Sequence, residues 1–516
     1  MKICVISGGS GSTDLCKGLY QLLGYLPDNL INMYDDGKST GDIRKKLNIL
    51  GPSDLRKVQC EKAMIEGNGE LADILNDRYS NMTFADMINR SNIIEYVPFT
   101  IGNLLNNFAK RFNEELIYDY CLGNVVYGVL MEAYGIEKTI EIMKGLLKLE
   151  SDVYVDSYSL AILKAETLYG NTLNDEASIV DYEKSNDPIV GVYLDREIKV
   201  NPRAIEFIES CDLVIISTGT LYSSLLPTIM KKDINKALKG KHIIVAINAA
   251  DDGDSRDFST FDYINRYIDV LRDYKPDFIT ASETKAVGRK HDGEMLARHI
   301  LYRYIKVTIL GNRIHTLVLD VDGTLDDKSF SLIKNMPNLR IVLVSGNSVG
   351  DNLLGRCVNK LENSATIFAE AGQIIVNHKS KSDIDEELSL LQSDTIQRLD
   401  KKLIRNKDYR LIGNVVRFKS NNREELKQEL STDLRLYNHI FDINLRGNTS
   451  VEISVRGFDK INAFYDSINN DASGVLYVGN EPEGNDKKAM SLFTSIAVKS
   501  SKETNCLLEM IVDVMK

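Results

Sequence analysis

The sequence predicts an α/β protein with two successive domains, each built around a mostly parallel β-sheet. Strand-like apolar runs alternate with helical periodicity along most of the chain, which is typical of α/β units. With 516 residues the chain exceeds the size of one hydrophobic core, so two or three domains are expected. Hydrophobic residues make up 43% and charged residues 27% of the chain, as in a soluble globular protein.

The first predicted domain spans residues 1–308. Its strands are expected where short apolar runs meet turn residues: Ile3–Ser7, Leu30–Tyr34, Leu213–Ser217 and His242–Ile247. A long and mainly helical stretch, from about Ser53 to Leu149, lies between the second and third of these strands. The first apolar run is too short for a signal peptide, so it is interpreted as a strand.

The second predicted domain spans residues 313–516. Its predicted strands are the buried runs His315–Leu319, Arg340–Val344, Thr366–Ala369 and Val475–Val478. From about residue 374 to residue 455 the pattern changes to charged helical segments mixed with short strands, which predicts an inserted α+β cap. The predicted cap elements are the helices Asp383–Leu403 and Arg423–Tyr437 and the strands Val415–Phe418 and Val451–Val455.

Charge and cysteine usage exclude several classes of protein. The net charge is −11 with acids and bases interspersed, which argues against nucleic acid or an anionic membrane as the main partner. No window approaches the roughly 20 apolar residues needed to span a bilayer. The seven cysteines are scattered without a C-x-x-C pair, which fits a reducing cytoplasm. Small-molecule substrates are therefore the expected partners, and the oligomeric state stays open, a homodimer included.

Two carboxylates, Asp320 and Asp322, come directly after the predicted strand that ends at Leu319. Side chains two residues apart on an extended chain point to the same face, and two anions held that close repel each other unless a cation lies between them. The pattern therefore predicts a Mg²⁺ site at the carboxyl end of a parallel sheet. The alternative is a strand followed by a common Asp-Gly turn.

Four further residues fall at comparable places in the second domain. Ser345 follows a strand and offers a hydroxyl to a phosphate oxygen, and Lys460 comes just before a helix. Asn480 and Asp486 belong to an acidic loop that follows the strand Val475–Val478. Each could be an ordinary turn or surface residue by itself, but their order along the chain favours a phosphoryl-transfer site.

This residue set resembles the haloacid dehalogenase (HAD) superfamily of phosphatases, in the subgroup with a late-inserted, C2-type cap. The resemblance covers roughly Arg313 to Lys516. It implies a Rossmann-like domain in which Asp320 is the nucleophile that forms an aspartyl-phosphate and Asp322 is the acid/base. It also implies that Ser345 holds the phosphoryl group and that Lys460 neutralises it.

The same resemblance implies that Asp320, Asp322, Asn480 and Asp486 help to hold Mg²⁺. The family loop usually begins Gly-Asp, whereas this chain has Gly479 followed by Asn480. A neutral amide oxygen binds Mg²⁺ less tightly, so the metal affinity should fall unless Glu481 or Asp486 compensates. A weakened or purely structural HAD domain is the alternative.

The first domain contains a glycine-rich turn between its first strand and a helix. The turn comprises Gly8, Gly9, Ser10, Gly11 and Ser12. Glycines let the backbone approach an anion closely, and a helix N-terminus offers free N–H groups to it. A plain tight turn is the alternative.

Three more segments of the first domain are rich in acids, hydroxyls or amides. Asp35 and Asp36 end the second predicted strand and suit a metal, a ribose or an acceptor hydroxyl. Asn103 lies in a candidate helix start, Ile101–Leu105. A later loop contains Gly219, Thr220 and Ser223 and, with the glycine-rich turn, could clasp a diphosphate.

Together these segments resemble the 2-phospho-L-lactate transferases and their gluconeogenesis-factor-like relatives, which bind nucleotide-sugars. The resemblance spans about Met1 to Lys306 and implies a Rossmann-like domain. It implies that the residues from Gly8 to Ser12 and from Gly219 to Ser224 cradle a donor diphosphate. Asp35 and Asp36 would orient the acceptor hydroxyl or a Mg²⁺. Lys38 stands where the relatives tend to have glycine.

Two functions follow from the pair of resemblances. The first is a bifunctional enzyme that transfers a phospho-linked unit from a nucleoside-diphosphate-linked donor to a hydroxyl, releasing a nucleoside monophosphate, and also hydrolyses a phosphorylated metabolite with Mg²⁺. Fusing the two domains would raise the local concentration of a shared intermediate. The second is a regulatory protein that only binds a nucleotide-sugar, fused to a weak or inert HAD domain. The sequence does not identify the donor base, the transferred group or the acceptor.

Overall fold

The computed structural model forms two compact units, residues 2–300 and residues 301–516 together with Met1. It describes residues 1–182, 186–250, 252–287, 290–336 and 338–345, and then 353, 356, 360–361, 364–369, 374–375, 409–412, 415–420, 422–433, 441–446, 450–455, 461–482 and 486–515. Each unit is built on a mostly parallel sheet, which agrees with the predicted α/β class.

The central sheet of the first unit has six strands, and every neighbouring pair is parallel. Across the sheet the strands follow the order Asp277–Ile279, His242–Ala246, Leu213–Ile216, Ile3–Ile6, Asp28–Ile31 and Val153–Val155. The chain winds outward in one direction from Ile3–Ile6 and in the other from Leu213–Ile216. The point between these two neighbours is where the strand order reverses, and in such sheets ligands bind outside the carboxyl ends of the strands there.

The second strand lies earlier than predicted, at Asp28–Ile31 rather than Leu30–Tyr34. The cause is Asn32, whose side-chain oxygen accepts a hydrogen bond from the backbone N–H of Tyr34 at 3.2 Å. Its side-chain amide donates to the carbonyl of Ser224 at 2.6 Å. This local bonding replaces the ladder of the sheet. Tyr34 is nevertheless buried, which explains why the apolar pattern extends past the strand.

Helices alternate with these strands along the chain, and the predicted helical stretch is interrupted by two short strands, Arg78–Tyr79 and Tyr120–Cys121. The described helices up to residue 311 are Thr13–Leu23, Lys38–Leu47, Ser53–Ile65, Gly69–Asn76, Phe84–Ser91, Phe99–Arg111, Leu122–Tyr134, Ile136–Leu146, Glu176–Val180, Pro202–Ser210, Leu226–Ile229, Lys232–Ala237, Thr260–Leu271 and Gly293–Gly311. The helix expected to start near Ile101 begins two residues earlier, directly after Pro98. A separate antiparallel sheet contains Leu163–Thr167, Thr172–Leu173 and Ile189–Leu194.

The second unit also has a six-stranded sheet, in the order Ile374–Ile375, Thr366–Ala369, Arg340–Val344, Thr316–Asp320, Val475–Gly479 and Thr494–Ala497. All pairs are parallel except the first. Its described helices are Asp327–Ile333, Arg423–Asp433, Asn462–Ser467, Lys487–Leu492 and Ser501–Met515. Across the described parts of both units, no helix has the length and apolar character that crossing a membrane requires.

The region predicted as an inserted cap contains a four-stranded antiparallel sheet in its described parts. The strands follow the order Tyr409–Ile412, Val415–Lys419, Ser450–Val455 and Phe441–Arg446. Arg423–Asp433 provides a helix between the second and third of these strands along the chain. The other predicted helix, Asp383–Leu403, lies outside the described residues.

Candidate functional site

A cleft of about 580 Å³ opens in the first unit where the strand order reverses. Gly8, Gly9 and Gly11 line it after the strand Ile3–Ile6, and Thr218–Ser224 contributes from the loop after Leu213–Ile216. The two loops touch, since the Thr218 hydroxyl donates to the Gly11 carbonyl at 2.6 Å. The structure therefore brings the two sequence-predicted loops together at one site.

The glycines of the first loop are required mainly by protein contacts. A Cβ atom on Gly8 would lie 2.1 Å from the Cβ of Ser224, and one on Gly11 would lie 2.4 Å from the Thr218 carbonyl oxygen. Gly9 has a φ of +43°, a left-handed conformation that favours glycine. At Gly8 and Gly11, the absence of a side chain therefore allows the two loops to contact each other. The sequence analysis had attributed these glycines to contact with an anion.

The second loop contains a single π-helical turn, Leu221–Leu225, of the kind that often marks functional sites. The backbone N–H groups of Tyr222 and Ser223 donate to one carboxylate oxygen of Asp254, at 2.9 and 2.8 Å. Burial raises the pKa of Asp254 to about 6. Two amides that could have served a ligand anion are therefore already occupied by a protein carboxylate.

The hydroxyl groups of this loop form a chain instead. Thr220 Oγ1 lies 2.7 Å from the hydroxyls of both Ser223 and Ser224. Thr220 and Ser224 line the cleft, whereas Ser223 is buried behind them. Asn248 holds the base of the loop, because its side chain accepts from the Gly219 N–H at 3.0 Å and donates to the Gly219 carbonyl at 2.8 Å. The loop thus presents hydroxyl groups on a rigid support.

The acid pair divides between two environments. Asp35 lines the cleft and accepts a hydrogen bond from the Gly37 N–H at 3.0 Å. Asp36 is not among the residues lining the cleft; its carboxylate accepts from the Ala177 N–H at 3.0 Å and lies 3.9 Å from Arg44. Burial raises the pKa of Asp36, and the Ala177 N–H and Arg44 only partly offset that effect. The two carboxylates therefore do not face one common cation in this arrangement.

Three charged residues that the sequence analysis did not select complete the wall near Asp35. They are Asp54, Lys57 and Glu176. Lys57 Nζ lies 3.2 Å from Asp54 Oδ1 and 3.9 Å from Asp35 Oδ2. Burial raises the pKa of Glu176 to about 9, with further contributions from the charges of Asp35 and Asp54. Asp54 lies in the first turn of the helix Ser53–Ile65, where an acid is common, but no local pattern marks Glu176.

Two other predicted residues of the first unit, Ser12 and Asn103, are not among the described residues that line this cleft. Ser12 is buried at the end of the Gly9–Ser12 turn, and Asn103 is exposed on the helix Phe99–Arg111. The side chain of Ser10 lies outside the described part of the structure. Lys38 lines the cleft with a φ of +46°, which gives a physical reason for glycine at that position in the relatives.

In the second unit, four of the predicted residues, Asp320, Asp322, Ser345 and Asn480, lie at the carboxyl ends of three neighbouring parallel strands. Asp320 pairs in register with Val344, so it lies beside Ser345, the next residue along the chain. Ser345 donates its hydroxyl hydrogen bond to Asp322 at 3.0 Å. Asn480 follows the strand on the other side, and its amide nitrogen lies 2.2 Å from where a Cβ on Gly323 would be. Lys460 lies outside the described residues.

Asp486 is an acid of the loop that follows the strand Val475–Gly479. It is buried, and its two carboxylate oxygens accept hydrogen bonds from the Tyr477 hydroxyl at 2.7 Å and the Glu481 N–H at 2.8 Å. Within the described residues, no group of three or more His, Cys, Asp and Glu side chains is arranged to hold a metal ion. Asp320, Asp322 and the Asn480 amide still offer the oxygen donors that suit Mg²⁺, which commonly uses one or two carboxylates with water and substrate phosphate.

Comparison with known proteins identifies similarity over the first unit. The family model for 2-phospho-L-lactate transferase CofD matches residues 3–299. A gluconeogenesis factor of Listeria innocua is 24% identical over 272 residues, 51% of this chain and 71% of its own. A Thermotoga maritima protein that carries the same name provisionally is 26% identical over 281 residues, 53% of this chain and 77% of its own. A solved Bacillus halodurans structure of the UPF0052 family has a TM-score of 0.44 at 21% identity, covering 56% of this chain and 81% of its own.

Proposed function

The chain belongs to the 2-phospho-L-lactate transferase CofD family, and from this premise we propose that its first unit transfers a phospho-linked unit from a nucleoside-diphosphate-linked donor to a hydroxyl acceptor. One observation carries the proposal: the loops Gly8–Gly11 and Thr218–Ser224 meet at one side of a cleft that has Asp35 in its wall. Such an arrangement offers hydroxyl and backbone contacts to a diphosphate and a carboxylate to an incoming hydroxyl group.

The reaction needs little covalent chemistry from the protein. The acceptor oxygen forms a bond to the phosphorus next to the transferred unit, and the bond from that phosphorus to the bridging oxygen breaks. The nucleoside monophosphate leaves with the electron pair, and the acceptor proton passes to Asp35 or to solvent. The hydroxyls of Thr220 and Ser224 hold the diphosphate in line with the acceptor, so positioning and electrostatic stabilisation supply most of the rate.

The second unit is assigned Mg²⁺-dependent phosphomonoester hydrolysis. Asp320 attacks the phosphorus and displaces the leaving alcohol, Asp322 gives that alcohol its proton, and Asp322 then takes a proton from the water that hydrolyses the aspartyl-phosphate. Ser345 holds the phosphoryl oxygens, and its hydrogen bond to Asp322 supports this arrangement. Bound at Asp320, Asp322 and Asn480, a Mg²⁺ would supply charge neutralisation. Lys460 is also assigned charge neutralisation, acting on the phosphoryl group.

The alternative function is regulatory binding of a nucleotide-sugar without turnover. The relatives named gluconeogenesis factors favour this alternative, because that name describes a physiological role and no reaction. The full-length protein is incubated with Mg²⁺ and a panel of nucleoside-diphosphate conjugates and acceptors, and nucleoside monophosphate is measured by chromatography. Its release supports the transferase. Tight binding of a conjugate in calorimetry without any monophosphate supports the regulator and overturns the transferase.

The two acids of the first unit provide a matched pair of variants. Asp35→Asn is expected to lower kcat by roughly 10²–10⁴-fold if its carboxylate accepts the proton. Asp36→Asn keeps an acceptor oxygen for the Ala177 N–H, so a change of less than about fivefold in kcat is expected. Steady-state rates and KM are measured for both, with melting temperatures as the control for folding. Equal losses in the two variants would contradict the division of roles.

Asn480 gives a test of the proposed metal site. Asn480→Asp adds a charged ligand and is expected to lower the Mg²⁺ concentration for half-maximal phosphatase rate by roughly tenfold. Asn470→Asp makes the same charge change at an exposed position of the same unit and serves as the control. If both variants titrate with Mg²⁺ like the parent protein, Asn480 does not contact the metal.

A further inference from the structure

Lys57 stands where the glycine-rich loop meets the acidic wall of the cleft. Its ammonium lies 3.2 Å from Asp54 Oδ1 and 3.9 Å from Asp35 Oδ2. Both groups lie against the glycine-rich loop, since a Cβ on Gly9 would be 2.9 Å from Asp54 Oδ1 and 3.5 Å from Lys57 Nζ. About 36% of the side chain is exposed, so the ammonium is held by the protein and still reaches the open cleft.

The described charged residues that line the cleft are mostly acidic, so an anionic ligand needs a cation at this position. Among the described residues that line the cleft, six are carboxylic acids: Asp14, Asp35, Asp54, Glu176, Asp181 and Asp252. The described lining cations are Lys38, Lys57, Arg78 and Lys290. Lys38 and Arg78 are each paired with Asp119, and Lys290 is exposed. Among these described cations, Lys57 lies within 4 Å of two cleft carboxylates, next to the loop that would receive a phosphate.

We propose that Lys57 is the phosphate-binding cation of this cleft and contacts the diphosphate of a nucleoside-diphosphate ligand laid over Gly8–Gly11. Asp54 and Asp35 position the ammonium, and the ligand's phosphoryl oxygen becomes a third partner. The charge of Asp54 raises the pKa of Lys57, so the ammonium stays protonated at neutral pH. This inference rests on the proposed binding of a nucleoside-diphosphate-linked donor and names a residue that does it.

A purely structural ion pair would behave differently from a binding residue. The Asp54 side chain is only 10% exposed, so Lys57→Met leaves a buried carboxylate without its cation and is expected to lower the melting temperature whichever role Lys57 has. Loss of a charge-assisted hydrogen bond to a phosphate also weakens binding, by roughly a 10- to 100-fold rise in Kd. Binding is therefore compared at a temperature where both proteins are folded, because a purely structural ion pair changes the melting temperature and leaves Kd unchanged.

The test measures binding of ADP, GDP, UDP, CDP and inorganic pyrophosphate to the full-length protein by calorimetry at several salt concentrations. Lys57→Met is expected to raise Kd by roughly 10- to 100-fold and to reduce the salt dependence of binding, while Lys57→Arg stays within about threefold of the parent. Lys45→Met, at an exposed position outside the cleft lining, is the control. A parent-like Kd for Lys57→Met overturns the inference.

The outcomes distinguish this inference from the proposed function. Binding that depends on Lys57 without any release of nucleoside monophosphate keeps the inference and rejects the transferase. Monophosphate release with Lys57→Met binding like the parent rejects the inference and keeps the transferase. A parent protein that binds none of the five probes rejects the inference together with the diphosphate site.

Discussion

Replacing Asp320 by asparagine is expected to abolish phosphate release by the second unit. Asp320 is 2% exposed at the end of the strand Thr316–Asp320, beside Ser345 and four residues before Thr324, whose hydroxyl lies 3.4 Å from its carboxylate. An amide has the same shape but cannot form an acyl-phosphate. Losing the nucleophile of a covalent mechanism costs about 10⁴–10⁶-fold in kcat.

The measurement is release of inorganic phosphate from a panel of phosphorylated metabolites, with Mg²⁺ and the full-length protein. Asp466→Asn, an exposed carboxylate of the same unit, is the control for the charge change. Circular dichroism and the melting temperature report whether Asp320→Asn stays folded. A folded variant that retains more than about one-hundredth of the parent rate would rule out Asp320 as the nucleophile.

Lys231→Met is expected to destabilise the first unit by about 3–5 kcal/mol, because it leaves a buried charge without its partner. The side chains of Lys231 and Asp156 are 6% and 0% exposed, and Lys231 Nζ lies 2.5 Å from Asp156 Oδ2. Lys231 also donates to the Pro227 carbonyl at 2.6 Å and lies 4.8 Å from the ring centre of Tyr34. Burial raises the pKa of Asp156 and lowers that of Lys231, so each depends on the other to remain charged.

Urea unfolding of the full-length protein measures this loss as a shift in the midpoint of the first unit's transition. Lys232→Met changes the exposed neighbour of Lys231 and is expected to have an effect within about 0.5 kcal/mol. The double variant Lys231→Met, Asp156→Asn removes the stranded charge and should recover part of the stability. Equal midpoints for the two single lysine variants would show that the buried pair contributes nothing.

The sequence predicted best what depends on local pattern. The strand Arg340–Val344 has the predicted bounds, because an apolar run bounded by polar residues is sufficient to define a buried parallel strand. The meeting of the loops after Ile3–Ile6 and Leu213–Ile216 was also predictable, since both follow strands of one parallel sheet. Leu30–Tyr34 was placed late because a buried loop carries the same apolar residues as a strand.

The parts that the sequence did not predict depend on contacts between distant residues. Asp36 could be recognised as an acid next to Asp35, but its bond to the Ala177 N–H joins positions 141 residues apart. Glu176 directly precedes Ala177, so the same hydrogen bond helps to place Glu176 in the wall of the cleft. Asp254 accepts hydrogen bonds from the N–H groups of Tyr222 and Ser223, which are 32 and 31 residues away, and no pattern in its own segment predicts this role.

The strands Ile3–Ile6 and Leu213–Ile216 are paired in the central sheet, so this sheet cannot be completed during synthesis until the second strand has been made. The strand Ile3–Ile6 is synthesised well before its partner, because Thr218 and Gly11, which join the two loops, are 207 residues apart. At translation rates of about 5–20 residues per second, the amino-terminal strand waits about 10–40 s for its partner. Throughout that interval its apolar side chains need protection, so a nascent chain stalled before residue 213 is the form in which chaperone dependence should be greatest.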